Sequence, residues 1–522
     1  MSIEKAISQN LLIVSLGSLV FYYIASAIYN LYFSPLAKYP GPLLAKISAW
    51  PNFYYATTGY RHIWIWRCHE KYGDAFRFKP DGVLFNSPTA YRTIYQSKAN
   101  VKKGKFYEMW PRNLNAPNTL GTVDKAVHAR KRRVLNQAFS PEAIRSAENF
   151  VIQHVDRWNE ILIDGNDGRE WTEPVNISER IDYLVHDILG DLCFGRTFDL
   201  KEPRENQFRH LAQSPMVKLW VWLKPRGLDA LLDKAMPEKI RQYHNFLASS
   251  VTQRRKDEEA SKKTVDGTSY GRKDIFHYLF NATDEAGQPA YTNDELLEEA
   301  GLIVVAGTDT TANTISGFWF YVTRYPRVYS KLVEEIRTTF KSADDIKMGP
   351  TLSSCKYLHA TIDEILRCCP SLPSDLNREV LPGGLNIEGH HLPAGTQVGV
   401  GGWAIMHNQQ IFEDPWTFRP ERWIVDPTGG VTAEDVARAQ SAFNPFMIGV
   451  GSCAGQKVAM EELLITTART LYRMEVRLAP GDTLGAGDPE LGWGMRDRKT
   501  ILLRDVFTAA RDGPRLQFRR RV

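Results

Sequence analysis

The sequence predicts a mainly α (α+β) fold: a helix-rich domain with small β-sheets, behind one N-terminal transmembrane helix. Three observations predict it. The run Leu11–Phe33 carries no charged residue. Most of the rest shows helix signals, with a capping-box spacing at Thr292 and Glu295 and stops at Pro370 and Pro373. Short aromatic and β-branched runs, Asp74-Ala-Phe-Arg-Phe78 and Val83-Leu-Phe-Asn86, read as strands.

The N-terminal run is long enough, since about 20 apolar residues cross a bilayer. Tyr22, Tyr23, Tyr29 and Tyr32 suit a membrane interface. A signal peptide or a core helix would also be apolar. Against a signal peptide, Glu4 and Lys5 cancel before the run and no A-x-A site follows it. Lys38 and Lys46 follow closely, which by the positive-inside rule puts the remaining chain in the cytoplasm. The expected division is 1–35 as anchor and 36–522 as catalytic domain. On that side of the membrane the sequons at Asn176 and Asn281 stay unmodified.

Pro40-Gly41-Pro42 then ends the helix and fixes its exit. From about Pro141 to Asn281 the pattern is mostly helical, with a polar stretch from Arg254 to Asp274 expected as an exposed loop. A long helix starts at Thr292 and runs to about Tyr325, a second ends near Cys369, and a third covers about Gly455 to Leu471.

Composition excludes several functions. With 65 Lys plus Arg against 60 Asp plus Glu, the charge is too balanced to imply nucleic acid. Six cysteines in 522 residues, with no C-x-x-C spacing, suggest neither a disulfide framework nor a zinc site. Any special cysteine acts alone.

That cysteine is Cys453, in Pro445-Phe446-Met-Ile-Gly449-Val-Gly451-Ser-Cys453-Ala-Gly455. It stands among glycines just before a helix, where unsatisfied N–H groups and the helix dipole favour a thiolate. Taken alone, the same residues also describe a small buried cysteine in a turn. The segment resembles the heme-binding signature F-x-x-G-x-R-x-C-x-G of the cytochrome P-450 family, and Ala459 and Glu462 continue the pattern. The resemblance implies heme b with Cys453 as its axial iron ligand, and Phe446 and Gly449 in the binding loop. One departure stands out: the signature's arginine is Gly451 here.

Other segments extend the resemblance. Ala306-Gly307-Thr308-Asp309-Thr310-Thr311 matches the family's oxygen-activation motif. The Thr310 hydroxyl is placed to bond back to the Ala306 carbonyl and open the helix. Thr310 and Asp309 are then the catalytic alcohol and acid. Glu364 and Arg367 share one helix face, and the resemblance makes Arg422, in Phe418-Arg-Pro-Glu-Arg-Trp423, the third member of a buried network. His128-Ala-Arg-Lys-Arg132 falls where the family has its W-x-x-x-R pair, and Arg378 where many members bind a propionate. His128, Arg132 and Arg378 are thus the expected heme-carboxylate partners, with the rest of the 128–133 run divided between inward and outward faces. Ile303, Val304, Ser371–Asp375 and Gly492–Met495 lie where members contact substrate.

By the resemblance the protein is a monooxygenase taking electrons from NADPH through an NADPH-cytochrome reductase. It oxidises an apolar small molecule at the endoplasmic reticulum membrane, facing the cytoplasm. Ser34-Pro-Leu-Ala-Lys-Tyr-Pro-Gly-Pro42 is similar to filamentous-fungal members of secondary metabolism. A heme enzyme that rearranges hydroperoxides is disfavoured by the intact Asp309–Thr310 pair. A non-catalytic heme protein has only Gly451 in its favour.

Overall fold

The computed structural model describes residues 3–109, 113, 115–164, 166, 170–203, 238–263, 273–284 and 286–521, with side chains from residue 11 onward except at 109, 238–240 and 263. Two compact units make up the chain: residues 1–102 with 374–405, and residues 103–373 with 406–522.

In the first unit, the helix Ile3–Ile28 continues into a wider turn, Tyr29–Phe33. The stretch Leu11–Phe33 is long and apolar enough to cross a membrane and has no buried side in the structure. Short helices Leu43–Ile47 and Trp50–Thr58 follow, and then the mostly buried helix Arg61–Tyr72. The two strands expected here form Ala75–Lys79 and Gly82–Phe85, paired antiparallel. Gly82–Phe85 also pairs in parallel with Gln397–Val400, which in turn pairs with Arg378–Val380. All four residues of Gly82–Phe85 and of Gln397–Val400 are buried, as suits strands covered on both faces.

The second unit is built around the long helix Asn293–Val322. Thr292 accepts from the Glu295 N–H while the Glu295 carboxylate accepts from the Thr292 N–H, closing the expected capping box. The buried helix Ile177–Phe194 packs against it, as does the helix Gln456–Arg473. The helix Lys356–Cys368 stops two residues before Pro370. A three-stranded sheet orders Val175–Asn176, Arg515–Arg520 and Met474–Leu478 side by side, and Arg504–Val506 and Thr508–Ala510 form a hairpin.

One expectation fails. The polar stretch from Arg254 does not begin a loop, because the helix Glu238–Lys263 runs through it. Pairs four residues apart hold it: Arg254 with Glu258 at 3.0 Å and Gln253 with Asp257 at 2.8 Å. Arg254 is also buried against Asp274, 2.7 Å away, which caps the next helix by accepting from the His277 N–H. Charge alone did not reveal that the helix has a buried side. Residues 264–272 of that stretch lie outside the described residues.

Candidate active site

Cys453 ends a loop whose backbone is folded tightly. Met447 and Gly449 both take left-handed φ angles, +58° and +67°. Gly449–Gly451 forms a single 3₁₀ turn, and the Cys453 N–H donates to the Phe446 carbonyl at 2.8 Å. Phe446 therefore shapes the loop through its carbonyl and Gly449 through its conformation. The Cys453 side chain is exposed, whereas the other five cysteines are buried. Crowding by neighbouring protein pushes its thiol pKa up, and the Gly455 N–H and the Arg132 charge pull the other way. None of the six cysteines is in a disulfide.

Arg132 comes from the helix Lys125–Ala138. Its Nη1 donates to the Ser452 carbonyl, its Nη2 to the Ser452 hydroxyl at 3.3 Å, and its Nε to Asn136 Oδ1 at 2.8 Å. His128, one helical turn earlier, is buried. The rest of the basic run is divided, with Lys131 buried and Arg133 exposed, and its inward members meet acids. Lys131 is fully buried, 3.0 Å from Glu295 and 3.5 Å from Glu299, and Arg130 pairs with Glu295 at 2.7 Å. These two cations neutralise carboxylates of the long helix, since a buried acid needs a partner. Arg378 belongs to the first unit, where it is buried, donates to the carbonyls of Leu376 and Asn377 at 3.0 Å, and lies over the Tyr95 ring.

On the long helix, the Thr310 hydroxyl donates to the Ala306 carbonyl at 2.9 Å, the predicted back-bond. Ser371 donates to the Thr310 carbonyl at 3.0 Å, and Thr314 donates to the same carbonyl at 3.1 Å. Asp309 accepts from the Thr508 hydroxyl at 3.0 Å. Burial raises the Asp309 pKa, and His186, Thr508 and Arg511 moderate the rise. Sequence reasoning missed Thr508, which is 199 residues from its partner. Ile303 and Val304 are buried, and the open turn of the helix is the next pair, Val305 and Ala306.

The scaffold network is complete. Glu364 and Arg367 are fully buried, with Oε1 2.8 Å from Nη2 and Oε2 2.9 Å from Nε. Arg422 Nε lies 3.4 Å from Glu364, as expected. The Arg419 N–H and the Trp423 ring N–H also donate to Glu364, each at 3.0 Å. Burial alone would raise the Glu364 pKa, but Arg367, Arg422 and these donors outweigh it and hold it below the ordinary carboxylate value.

Val305 and Ala306 are apolar and exposed in the middle of the long helix, and Val450 and Cys453 are exposed on the loop. An exposed sulfur donor on the loop and exposed apolar residues on the long helix suit a flat, apolar, iron-bearing group. Arg132, with three of its five N–H groups engaged, keeps donors for a carboxylate. These residues fit heme.

The cytochrome P-450 family profile matches residues 40–503. The chain belongs to the cytochrome P-450 family. It is 34% identical to the cytochrome P-450 monooxygenase poxM of Penicillium oxalicum over 98% of this chain and 95% of that one. It is 33% identical to the cytochrome P-450 monooxygenase AKT7 of Alternaria alternata, covering 97% of each. The crystal structure of the cytochrome P-450DA heme domain superposes with a TM-score of 0.69 at 16% identity, over 90% of this chain and 95% of that one. The fold and the resemblance to fungal P-450 members are thereby borne out, and the protein is a P-450 monooxygenase of heme-thiolate type.

Proposed function

We propose that this P-450 inserts one oxygen atom from O₂ into an apolar small molecule, a fungal secondary metabolite or its precursor. The balance is R–H, O₂, NADPH and a proton giving R–OH, water and NADP⁺, with electrons delivered by an NADPH-cytochrome reductase. When bound, heme supplies the oxygen activation, and its thiolate ligand pushes electron density toward the iron.

The observation that carries this reading is the acid–alcohol pair. Thr310 is turned back on the Ala306 carbonyl and Asp309 is held by Thr508, so a hydroxyl and a carboxyl sit side by side on one helix. The raised Asp309 pKa suits a group that passes on protons. Cys453 is the metal ligand, on a loop shaped by Phe446 and Gly449. Arg132, His128 and Arg378 hold the heme carboxylates, Arg132 bidentately. The apolar surface of Val305 and Ala306 favours an apolar substrate.

In this reading residues 1–35 anchor residues 36–522 to the endoplasmic reticulum membrane, with the catalytic domain in the cytoplasm. The apolar stretch and the lysines after it support this arrangement. The first test is the reduced CO-difference spectrum of the wild type beside Cys453→Ala. A long-wavelength Soret band present only in the wild type supports the thiolate site. A band typical of histidine ligation, or no heme, overturns it. Adding purified reductase and NADPH then tests turnover: NADPH-independent product formation would point instead to hydroperoxide rearrangement.

A further inference from the structure

The Thr310 carbonyl carries two hydroxyl donors beyond what a helix provides. An α-helix gives such a carbonyl one N–H, from four residues further on. Here the Thr314 hydroxyl also donates to it at 3.1 Å from the same helix, and the Ser371 hydroxyl at 3.0 Å from outside. The Thr310 hydroxyl is itself turned onto Ala306, one helical turn back. The turn from Ala306 to Thr310 therefore has a hydroxyl on the carbonyl at each end, and such insertions loosen the helical ladder. Of these three hydroxyls, Ser371's alone comes from another element. It can fix the turn against its surroundings, which a back-bond within the helix cannot.

Ser371 is itself held in place. Asn313, fully buried on the same long helix, donates through Nδ2 to the Ser371 hydroxyl oxygen at 3.3 Å and to the Cys369 carbonyl at 3.0 Å. Its Oδ1 accepts from the Cys369 thiol at 3.6 Å. The amide thus turns its donors to two oxygens and its oxygen to a thiol, and the Ser371 hydroxyl, accepting from Asn313, sends its one hydrogen to Thr310. Bonds chained in this way polarise one another. The backbone of the segment is fixed as well. Pro370 sets its own φ, and the Ser371 carbonyl accepts from the Ala509 N–H at 2.9 Å. A β-carbon on Gly317 would come within 3.1 Å of the Cys369 sulfur, so its absence lets the segment lie close to the helix. Thr508, next to Ala509, donates to Asp309. Consecutive residues of one hairpin therefore hold the acid directly and the alcohol at one remove, through Ser371.

We propose that Ser371 is a positioning residue for Thr310: its hydroxyl sets where the Ala306–Thr310 turn sits, and so where the Thr310 hydroxyl points, with Asn313 directing the Ser371 hydrogen. The inference rests on the reading of Thr310 as the catalytic alcohol. A misplacement of about 1 Å in a reacting group can cost about a hundredfold in rate, so a small drift of this carbonyl matters to the reaction.

The test uses the full-length, heme-loaded protein, reduced and saturated with CO. It reads the infrared C–O stretch, which responds to a hydroxyl dipole beside the bound gas and needs neither reductase nor substrate. Thr310→Ala should shift the stretch, and Ser371→Ala should shift it in the same direction. The double variant should match Thr310→Ala alone, because Ser371 acts through Thr310. Ser371→Thr keeps the hydroxyl and should return the wild-type value. With reductase and NADPH, Ser371→Ala should release severalfold more peroxide per NADPH than wild type, and the double variant no more than Thr310→Ala. A wild-type stretch or a wild-type peroxide ratio in Ser371→Ala overturns the inference, as do effects that add in the double variant. If Ser371→Ala loses heme, Ser371→Cys, which keeps the size but donates weakly, takes its place under the same criteria. A wild type without the long-wavelength CO band, or a Thr310→Ala stretch equal to the wild type's, defeats the reading of the site first and this inference with it. Beside a normal band and a shifted Thr310→Ala, the Ser371 results bear on the inference alone.

Discussion

Arg132 grips Ser452 at two points, its carbonyl and its hydroxyl, so a cation from a distant helix is fixed to the residue just before Cys453. The loop itself offers only Gly451 at the place where the family signature has arginine. The Arg132 charge favours the ionised sulfur of Cys453.

From this, Arg132→Ala is expected to lower heme occupancy severalfold, and Arg132→Ala with Arg378→Ala to lower it further. Heme content per chain after purification measures the effect. Full occupancy in the double variant would refute the anchoring role. In Arg132→Ala protein that keeps heme, the CO-difference band should shift in part to the position of a protonated or displaced thiol.

The scaffold network predicts a large stability loss. Arg367→Ala leaves Glu364 buried with only Arg422, 3.4 Å away, as a charge partner. Breaking a buried pair from one side costs roughly 3–5 kcal/mol. The urea unfolding midpoint should fall accordingly, and a change under ~1 kcal/mol would mean that Arg422 and Trp423 suffice.

Asp309→Asn and Thr310→Ala should leave the CO spectrum intact while diverting electrons. The expected result is peroxide released per NADPH rising severalfold. Thr508→Val should move in the same direction by a smaller amount, and Thr508→Ser should restore the wild-type ratio. Identical coupling in Thr508→Val would show that its bond to Asp309 does not serve the reaction.

Stability should depend on pH through Glu462. Burial first, and then the charge of Glu461, push its pKa from about 4.5 up to about 8, and the Thr311 hydroxyl opposes the shift. Between those values the folded chain keeps a proton that the unfolded chain has released. The folded state is therefore favoured at low pH, and its advantage is lost as pH climbs toward 8. Glu462→Gln cannot ionise, so its stability relative to wild type should grow from pH 5 to pH 8.5 in urea titrations. A constant difference would place the carboxyl's titration elsewhere.

The sequence was most legible where local rules decide. The capping box at Thr292, the stop before Pro370 and the back-bond of Thr310 all follow from short-range chemistry. The loop residues Phe446, Gly449 and Cys453 were readable because their spacing is fixed by a resemblance to known members. Burial was harder to read. Lys131 could be read only as one of a run divided between inward and outward faces, and Arg254 looked like the start of a loop, because their partners Glu299 and Asp274 lie on other elements. That Val305 and Ala306 are exposed in the middle of the long helix was not legible, because side-chain exposure on a helix depends on what packs beside it. Thr508 gave no local signal at all.

The bond between Thr508 and Asp309 also sets an order of events during synthesis. The long helix leaves the ribosome nearly two hundred residues before the hydroxyl that steadies its acid. Ser371 is in the same position, since its carbonyl accepts from the Ala509 N–H while its hydroxyl holds Thr310. The proton-handling segment can form its helix early, yet it reaches working geometry only when the last hairpin of the chain has folded back. Nascent chains stalled before residue 508 should therefore carry a formed helix and an unfinished reaction centre.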